Sequence, residues 1–435
     1  MSEWFSKATF AECLERAAES WGPREALVHE GRRISFAELR NEVDTVARGL
    51  IALGVGPNDK VVLWMPNRPE WLYAFFALSQ IGAIVVPANT RFRANDLEYV
   101  VRQSDSTTLI TVDRSGPIDY LALARAIIPE IASGPNTVLA SAMFPELERV
   151  IVLGSDVPSG AIAWSDMVAR GKAITAASLW DRVRQVKPAD TTLIMYSSGT
   201  TGFPKAVMIS HDNVTWVVAS FAAFVGFGKA PGGRERLVSY LPLSHIAAQA
   251  IDIYAGLVCT GRDGVQSSTL YFARPDALKG SLKDTLNAVR PTVFFGVPRV
   301  WEKFAEALQA VGAKTTGAKK KISTWAKRVA LRRYLAGVAG AEPEDLGLVG
   351  GALSSVEEVF ADLILKKVHA AIGLDKAHFV FTGAAPIATV YQLPIVEGTA
   401  TASELIGTTD VYAYFNRVAS ALELTPAQLV GLASD

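Results

Sequence analysis

Between residues 35 and 112 the chain alternates helix signals with short, uninterrupted apolar runs, a pattern that few folds accommodate. Ser35-Phe-Ala-Glu38 is a capping box: the hydroxyl accepts from a first-turn amide while the glutamate reaches back to the cap. The helix it opens carries Val43, Val46, Ala47, Leu50 and Ile51 on one face and stops at Gly54. Strand VVLWM (61–65), a helix from Pro69 to Ile81, strand AIVVPA (83–88), a helix from Asn95 to Gln103 and strand TTLITV (107–112) follow. Runs apolar at every position, rather than at every second one, belong to strands buried on both faces. Helices between them supply the cover, so a parallel sheet clothed on both sides is expected.

A second capping box, Thr9-Phe-Ala-Glu12, opens a helix near the N-terminus. From Ser115 to Asp190 the pattern loosens, and only VIVLG (150–154) reads as a strand. Alternation returns with strand TTLIMYSS (191–198) and a helix capped near Ser210 that runs through VTWVVASFAAFVG. Further strands are LVSYLPL (237–243), PTVFFGV (291–297) and HFVFTGAAPI (378–387), with a helix through VPRVWEKFAEAL. A chain of 435 residues exceeds one core, and a prior of ~150 residues per domain suggests roughly three units. The expected division is 1–190, 191–387 and 388–435.

Lys plus Arg and Asp plus Glu each number 43, and this balance offers nothing to nucleic acid. The stretch KTTGAKKKISTWAKRVALRR (314–333) is locally basic. A solvated helix face is its plain reading, and peripheral contact with an anionic membrane surface or a phosphate-bearing substrate is the alternative. Cys13 and Cys259 are the two cysteines, too few for a disulfide framework, which points to a reducing, cytoplasmic setting. The N-terminus is acidic and amphipathic, unlike a signal peptide, and no run of ~18 apolar residues predicts a membrane span.

The chemistry is concentrated in YSSGTTGFPK (196–205). Gly199 and Gly202 allow sharp turns and bring backbone amides close to an anion. Ser197, Ser198, Thr200 and Thr201 add hydroxyls, one of which could ligate Mg²⁺, and Lys205 adds a point charge. The spacing is neither the Walker loop nor GxGxxG. A flexible surface loop before a helix cap is the bland reading. A phosphate site at the carboxyl end of a strand is the sharper one.

SSGTTGFPK resembles the phosphate-loop signature of the adenylate-forming superfamily. YLPLSHIAAQ (240–249), YFARPDALKGSLKDTLNAVRPTVFFGVPRVWEKF (271–304), KKISTWAKRVAL (320–331) and HFVFTGAAPI (378–387) are similar to the bubblegum-type long-chain and very-long-chain acyl-CoA synthetases. The half before Gly226 looks closer to bacterial fatty acyl-CoA synthetases. The resemblance implies an α/β fold, the large N-terminal domain of adenylate-forming enzymes. Its mainly parallel sheets would be stacked and covered by helices, with an incomplete small β-barrel as a further element. It implies ATP, Mg²⁺ and CoA, with a fatty acid activated first to acyl adenylate and then to acyl-CoA. Residues Ser197, Ser198, Gly199, Thr200, Thr201, Gly202 and Lys205 match the loop that holds the β- and γ-phosphates. His245 matches a position between the acyl and adenylate sites, and it joins Lys205 as a catalytic candidate. Gly383, Ala384, Ala385 and Pro386 match the turn against which adenosine packs. Val297, Pro298 and Arg299 match the segment beside the acyl tunnel. His29, His211, His369 and His378 lack metal-ligand spacing and read as structural.

After Ile387 the sequence departs from the family. The Tyr-Gly-x-[Ser/Thr]-Glu motif is damaged; Ser403-Glu404 is its nearest counterpart, one residue out of register. With Thr200, Glu404 is therefore the candidate Mg²⁺ ligand. The tail DVYAYFNRVASALELTPAQLVGLASD matches neither the family's ribose-binding Asp nor its mobile C-terminal domain. Three readings follow: a truncated fatty acid–CoA ligase with weak turnover, a non-catalytic nucleotide- or acyl-binding protein, or another carboxylate-adenylating ligase. The long-chain motifs argue against the last. The expected outcome is severely reduced pyrophosphate release and no detectable palmitoyl-CoA.

Overall fold

The computed structural model describes residues 7–132, 139–197, 204–225, 228, 230–255, 267–314, 316–317, 319–322, 324–326 and 366–382. Its strands are β1 (Glu25–His29), β2 (Arg32–Ser35), β3 (Lys60–Trp64), β4 (Ile84–Pro87), β5 (Thr108–Val112), β6 (Arg114–Ser115), β7 (Ile118–Asp119) and β8 (Arg149–Leu153). Then come β9 (Ile162–Ala163), β10 (Thr191–Ser197), β11 (Lys205–Ser210), β12 (Arg234–Ser239), β13 (Ser267–Phe272), β14 (Val293–Gly296) and β15 (Phe379–Thr382).

The chain divides into two compact units. Met1–Ala222, Pro231–Arg234 and Ser239–Pro275 form one; Ala223–Ala230, Glu235–Val238 and Asp276–Asp435 form the other. β10 lies in the first of these: Leu193 pairs with Val85, which makes β10 a parallel neighbour of β4 in that unit's sheet.

That sheet has seven strands in the order β11-β10-β4-β3-β5-β8-β9. All neighbours are parallel except β10 and β11. Val61, Val62, Leu63, Val85, Val86, Leu109 and Ile110 are buried, as continuous apolar runs demand of a two-sided cover. Helices Phe36–Ala52, Pro69–Gln80 and Ala94–Gln103 lie where the sequence places them. The capping boxes at Thr9 and Ser35 both form. In a smaller sheet, β1 pairs parallel with β13 and antiparallel with β2. No closed barrel forms among the described residues.

Among its described residues, the stretch that reads as irregular holds three α-helices, Tyr120–Ile127, Trp164–Gly171 and Ala176–Val183. Each has 8 residues, about two turns, too few for a helical period to stand out. Caps hold two of them: the Asp119 carboxylate accepts from the Ala122 amide at 2.8 Å, and the Thr175 hydroxyl from the Ser178 amide at 3.1 Å.

An aromatic cluster anchors the first unit. Phe10 stacks on Tyr254 at 5.3 Å and meets the His211 ring at 4.8 Å; Trp71 stacks on Phe75 at 5.2 Å. The Phe10 amide donates to His211 Nδ1 at 3.2 Å. Burial holds this imidazole neutral, lowering its pKa to about 4. No helix among the described residues is long and apolar enough to cross a membrane.

Candidate functional site

β10 delivers the glycine-rich loop at its carboxyl end, alongside the carboxyl ends of β4, β3 and β5, where open α/β sheets receive ligands. The chain does not pass from the loop into a helix, as the sequence suggested. It turns back as β11, antiparallel to β10, with Tyr196 opposite Ala206 and Ser197 opposite Lys205. The helix His211–Val225 begins only after this strand. Its cap is the expected one: the Ser210 hydroxyl accepts from the Asn213 amide at 3.1 Å, and Asn213 Oδ1 accepts from the Ser210 amide at 3.1 Å. Loop amides and Lys205, rather than a helix dipole, are therefore what this hairpin can offer an anion.

Ser197 and Lys205 are both exposed at the mouth of the hairpin. The Tyr99 hydroxyl donates to the Pro204 carbonyl at 2.9 Å, fixing the residue before Lys205. Tyr99 and Tyr196 meet edge to face at 6.2 Å, and the Tyr196 hydroxyl bonds Gln103. Burial pushes the Tyr196 phenol up to about 12, so it stays neutral. The loop candidates Ser198, Gly199, Thr200, Thr201 and Gly202 lie outside the described residues, as do Gly383, Ala384, Ala385, Pro386 and Glu404.

His245 lies in a turn that two side-chain amides, half-buried Asn67 and buried Gln249, hold in place. Asn67, just past the carboxyl end of β3, donates to the Leu241 carbonyl at 2.7 Å and to the Ser239 hydroxyl at 3.0 Å. Its Oδ1 accepts from the Leu243 amide at 2.9 Å. Gln249 donates to the Leu243 carbonyl at 2.7 Å and touches Met195 Sδ at 3.8 Å. Met195 belongs to β10, two residues before Ser197, so this turn packs on the strand that feeds the loop. The His245 ring itself is exposed, and its Nδ1 accepts from the Ala247 amide at 3.2 Å. The neutral ring then carries its proton on Nε2, free to meet a ligand oxygen. Asn67 and Gln249 were not legible as site residues. Nothing in MPNRPE or AAQAID marks them, because the Asn67 partners and the Met195 contact of Gln249 are remote in sequence.

The second unit holds the segment Val297, Pro298 and Arg299, the last two opening the helix Pro298–Ala313. Trp301 Nε1 donates to the Gly296 carbonyl at 2.7 Å, and a Cβ on Gly296 would come within 2.5 Å of that indole. Also in this unit, buried Glu235 accepts from His378 Nε2 at 3.1 Å, from the Gly228 amide at 2.7 Å and from the Thr292 hydroxyl. Burial works against the Glu235 charge. Bonds from His378, Thr292 and the Gly228 amide outweigh it and leave the carboxyl below its ordinary range. No group of three or more His, Cys, Asp or Glu among the described residues could hold a metal ion.

The profile of the AMP-binding enzyme family matches residues 14–425. The long-chain-fatty-acid–CoA ligase ACSBG2 of Xenopus laevis is 33% identical over 386 residues, 87% of this chain and 48% of that protein. ACSBG2 of Gallus gallus is 34% identical over 386 residues, 87% of this chain and 46% of that protein. The chain thus spans about half the length of the curated relatives it matches. Among solved structures, the long-chain-fatty-acid–CoA ligase FadD1 from Archaeoglobus fulgidus superposes with a TM-score of 0.55 at 18% identity. The match covers 89% of this chain and 60% of that one.

Proposed function

The chain belongs to the AMP-binding enzyme family, and from that premise we propose that it serves the ATP-dependent activation of long-chain fatty acids. The fold is that of the N-terminal domain of adenylate-forming enzymes. The observation that carries the proposal is the hairpin mouth. Ser197 and Lys205 stand exposed and in register at the carboxyl edge of a parallel sheet, with the His245 turn packed on the same strand.

In this reading the fatty carboxylate attacks the α-phosphorus of ATP, giving acyl adenylate and pyrophosphate, and a CoA thiol then displaces AMP. Lys205 and the loop amides bind the outer phosphates, so that charge developing on the departing pyrophosphate meets donors already in place. The Ser197 hydroxyl adds a further donor. His245, fixed by Asn67 and Gln249, offers its Nε2 proton to an oxygen of the reacting carboxylate or phosphate. Mg²⁺ would arrive with the nucleotide and neutralise phosphate charge; Thr200 and Glu404 are the proposed protein ligands. Exposed Lys314, Lys319, Lys320 and Lys321 support peripheral contact with an anionic surface.

Pyrophosphate release from the purified chain, with ATP and saturated acids from hexanoate to palmitate, tests the reading. Burial gains ~0.8 kcal/mol per CH₂, so the apparent affinity for acid climbs steeply with length. A flat response would refute the long-chain reading and favour a small-carboxylate ligase.

A further inference from the structure

The segment Gln249–Tyr254, which follows the His245 turn, winds as a π-helix, and the Ala255 amide donates to the Ala250 carbonyl five residues back. Such turns are rare and recur at functional sites. In an α-helix, residues five apart lie about 140° from one another round the axis. The wider π-turn brings them onto one face. Here it sets Tyr254 against Gln249: the Tyr254 hydroxyl donates to Gln249 Oε1, and both residues are buried. Burial also pushes the Tyr254 phenol well above its ordinary range, so it keeps the proton it donates.

The other end of the Gln249 amide faces the turn. Its Nε2 donates to the Leu243 carbonyl at 2.7 Å. A carbonyl can only accept, so this bond puts nitrogen towards Leu243 and leaves Oε1 in the core, where it needs a donor. Tyr254 is that donor. The Leu243 amide is held in turn by Asn67 Oδ1 at 2.9 Å, so the peptide groups on both sides of Leu243 are fixed by side chains. His245 lies two residues on, and its own carbonyl accepts from the Gln249 backbone amide at 3.1 Å. Tyr254 is itself anchored. Its ring stacks on Phe10 at 5.3 Å, and the Phe10 amide is bonded to His211.

Resting on the reading that His245 takes part in fatty-acid activation, we propose that Tyr254 is a positioning residue for His245. Across the π-turn its hydroxyl fixes the Gln249 amide, and the amide fixes the turn that presents the imidazole. Tyr254 acts only through Gln249. What it sets is the orientation of the ring, with Nδ1 on the Ala247 amide and the proton on Nε2.

Nuclear magnetic resonance of the full chain with isotope-labelled histidine tests this, at about pH 8 where imidazole is neutral. His245→Gln identifies the His245 signals. Tyr254→Phe keeps the stacked ring and removes only the hydroxyl; Gln249→Met keeps the volume and removes both amide bonds. Wild type should show one His245 tautomer, protonated at Nε2, and both variants should show the two tautomers mixed. Pyrophosphate release with ATP and palmitate should fall about fivefold in Tyr254→Phe, the loss of one neutral hydrogen bond. ATP affinity by isothermal titration should stay within about twofold, because Lys205 and its loop are untouched. An unchanged tautomer in Tyr254→Phe would overturn the proposal, even with a lower urea midpoint, which alone means core packing. An equal loss of ATP affinity would also overturn it, as a general loosening of the site. Mixed tautomers with an unchanged rate would uphold the positioning and remove His245 from the reaction. No pyrophosphate from wild type would remove the fatty-acid reading, and the tautomers would still decide the role of Tyr254.

Discussion

The hairpin β10–β11 and the parallel pair β14–β15 are both two-strand units, yet they are built by opposite means. The hairpin is made of one contiguous stretch, and its register from Thr191 opposite Ser210 to Ser197 opposite Lys205 follows from local closure. The parallel pair joins segments far apart in sequence and is locked from one side by Trp301 against Gly296. At the mouth of the hairpin Ser197 and Lys205 are exposed, and β11 leaves Val207 and Met208 about half exposed or more, at 48% and 65%. Every residue of β14 and β15 is buried. A local hairpin can present charge to solvent and tolerate change. In a long-range pair that buries everything, any added volume is felt at once.

The largest expected effect tests how firmly the hairpin's far end is tied to the core. His211 follows β11 directly, accepts from the Phe10 amide, and has its pKa lowered from 6.5 to about 4, by burial. Folded protein therefore binds fewer protons at this site than unfolded protein does. The stabilisation is complete above pH 6.5 and is lost as pH falls towards about 4, below which both states carry the proton. The swing is roughly 3 kcal/mol. Urea unfolding across this window should show it, and His211→Gln should flatten the slope; an unchanged slope would detach His211 from the account.

Next in size is the lock on the parallel pair. Gly296→Ala places a Cβ within 2.5 Å of the Trp301 indole. Overpacking of this kind costs about 1–3 kcal/mol. Urea midpoints measure it, and Trp301→Leu in the same chain should recover part of the loss by vacating the space. A neutral Gly296→Ala would show that the pair is no tighter than the hairpin. The smallest effect belongs to Ser210→Ala, which removes the cap after β11 and should cost about 1 kcal/mol by the same measurement. A loss of several kcal/mol there would mean that the hairpin depends on its cap far more than a local unit should.

The same contrast separates what could be read from the sequence and what could not. Continuous apolar runs announced β3, β4, β5 and β8, and the capping boxes at Thr9 and Ser35 fixed two helix starts, because each signal lies within a few residues. The loop's run of Gly, Ser and Thr stands out for the same reason. Its setting was not: KAVMIS carries only the four-residue apolar run Ala206-Val207-Met208-Ile209, too short to be told from the apolar helix that follows. Asn67 clamps the His245 turn through partners more than 170 residues away. Gly296 meets Thr382 only through the long-range pairing of β14 with β15. Neither is a pattern that local periodicity can carry.

The central claim is that the hairpin mouth binds nucleotide phosphates through Lys205. Isothermal titration of Mg²⁺–ATP into wild type and Lys205→Ala tests it most directly, since it asks for binding rather than turnover. The account predicts binding by wild type and a loss of roughly 1–3 kcal/mol in the variant, the value of a charge-assisted contact. Equal affinity in the two proteins, or no binding by either, would contradict it.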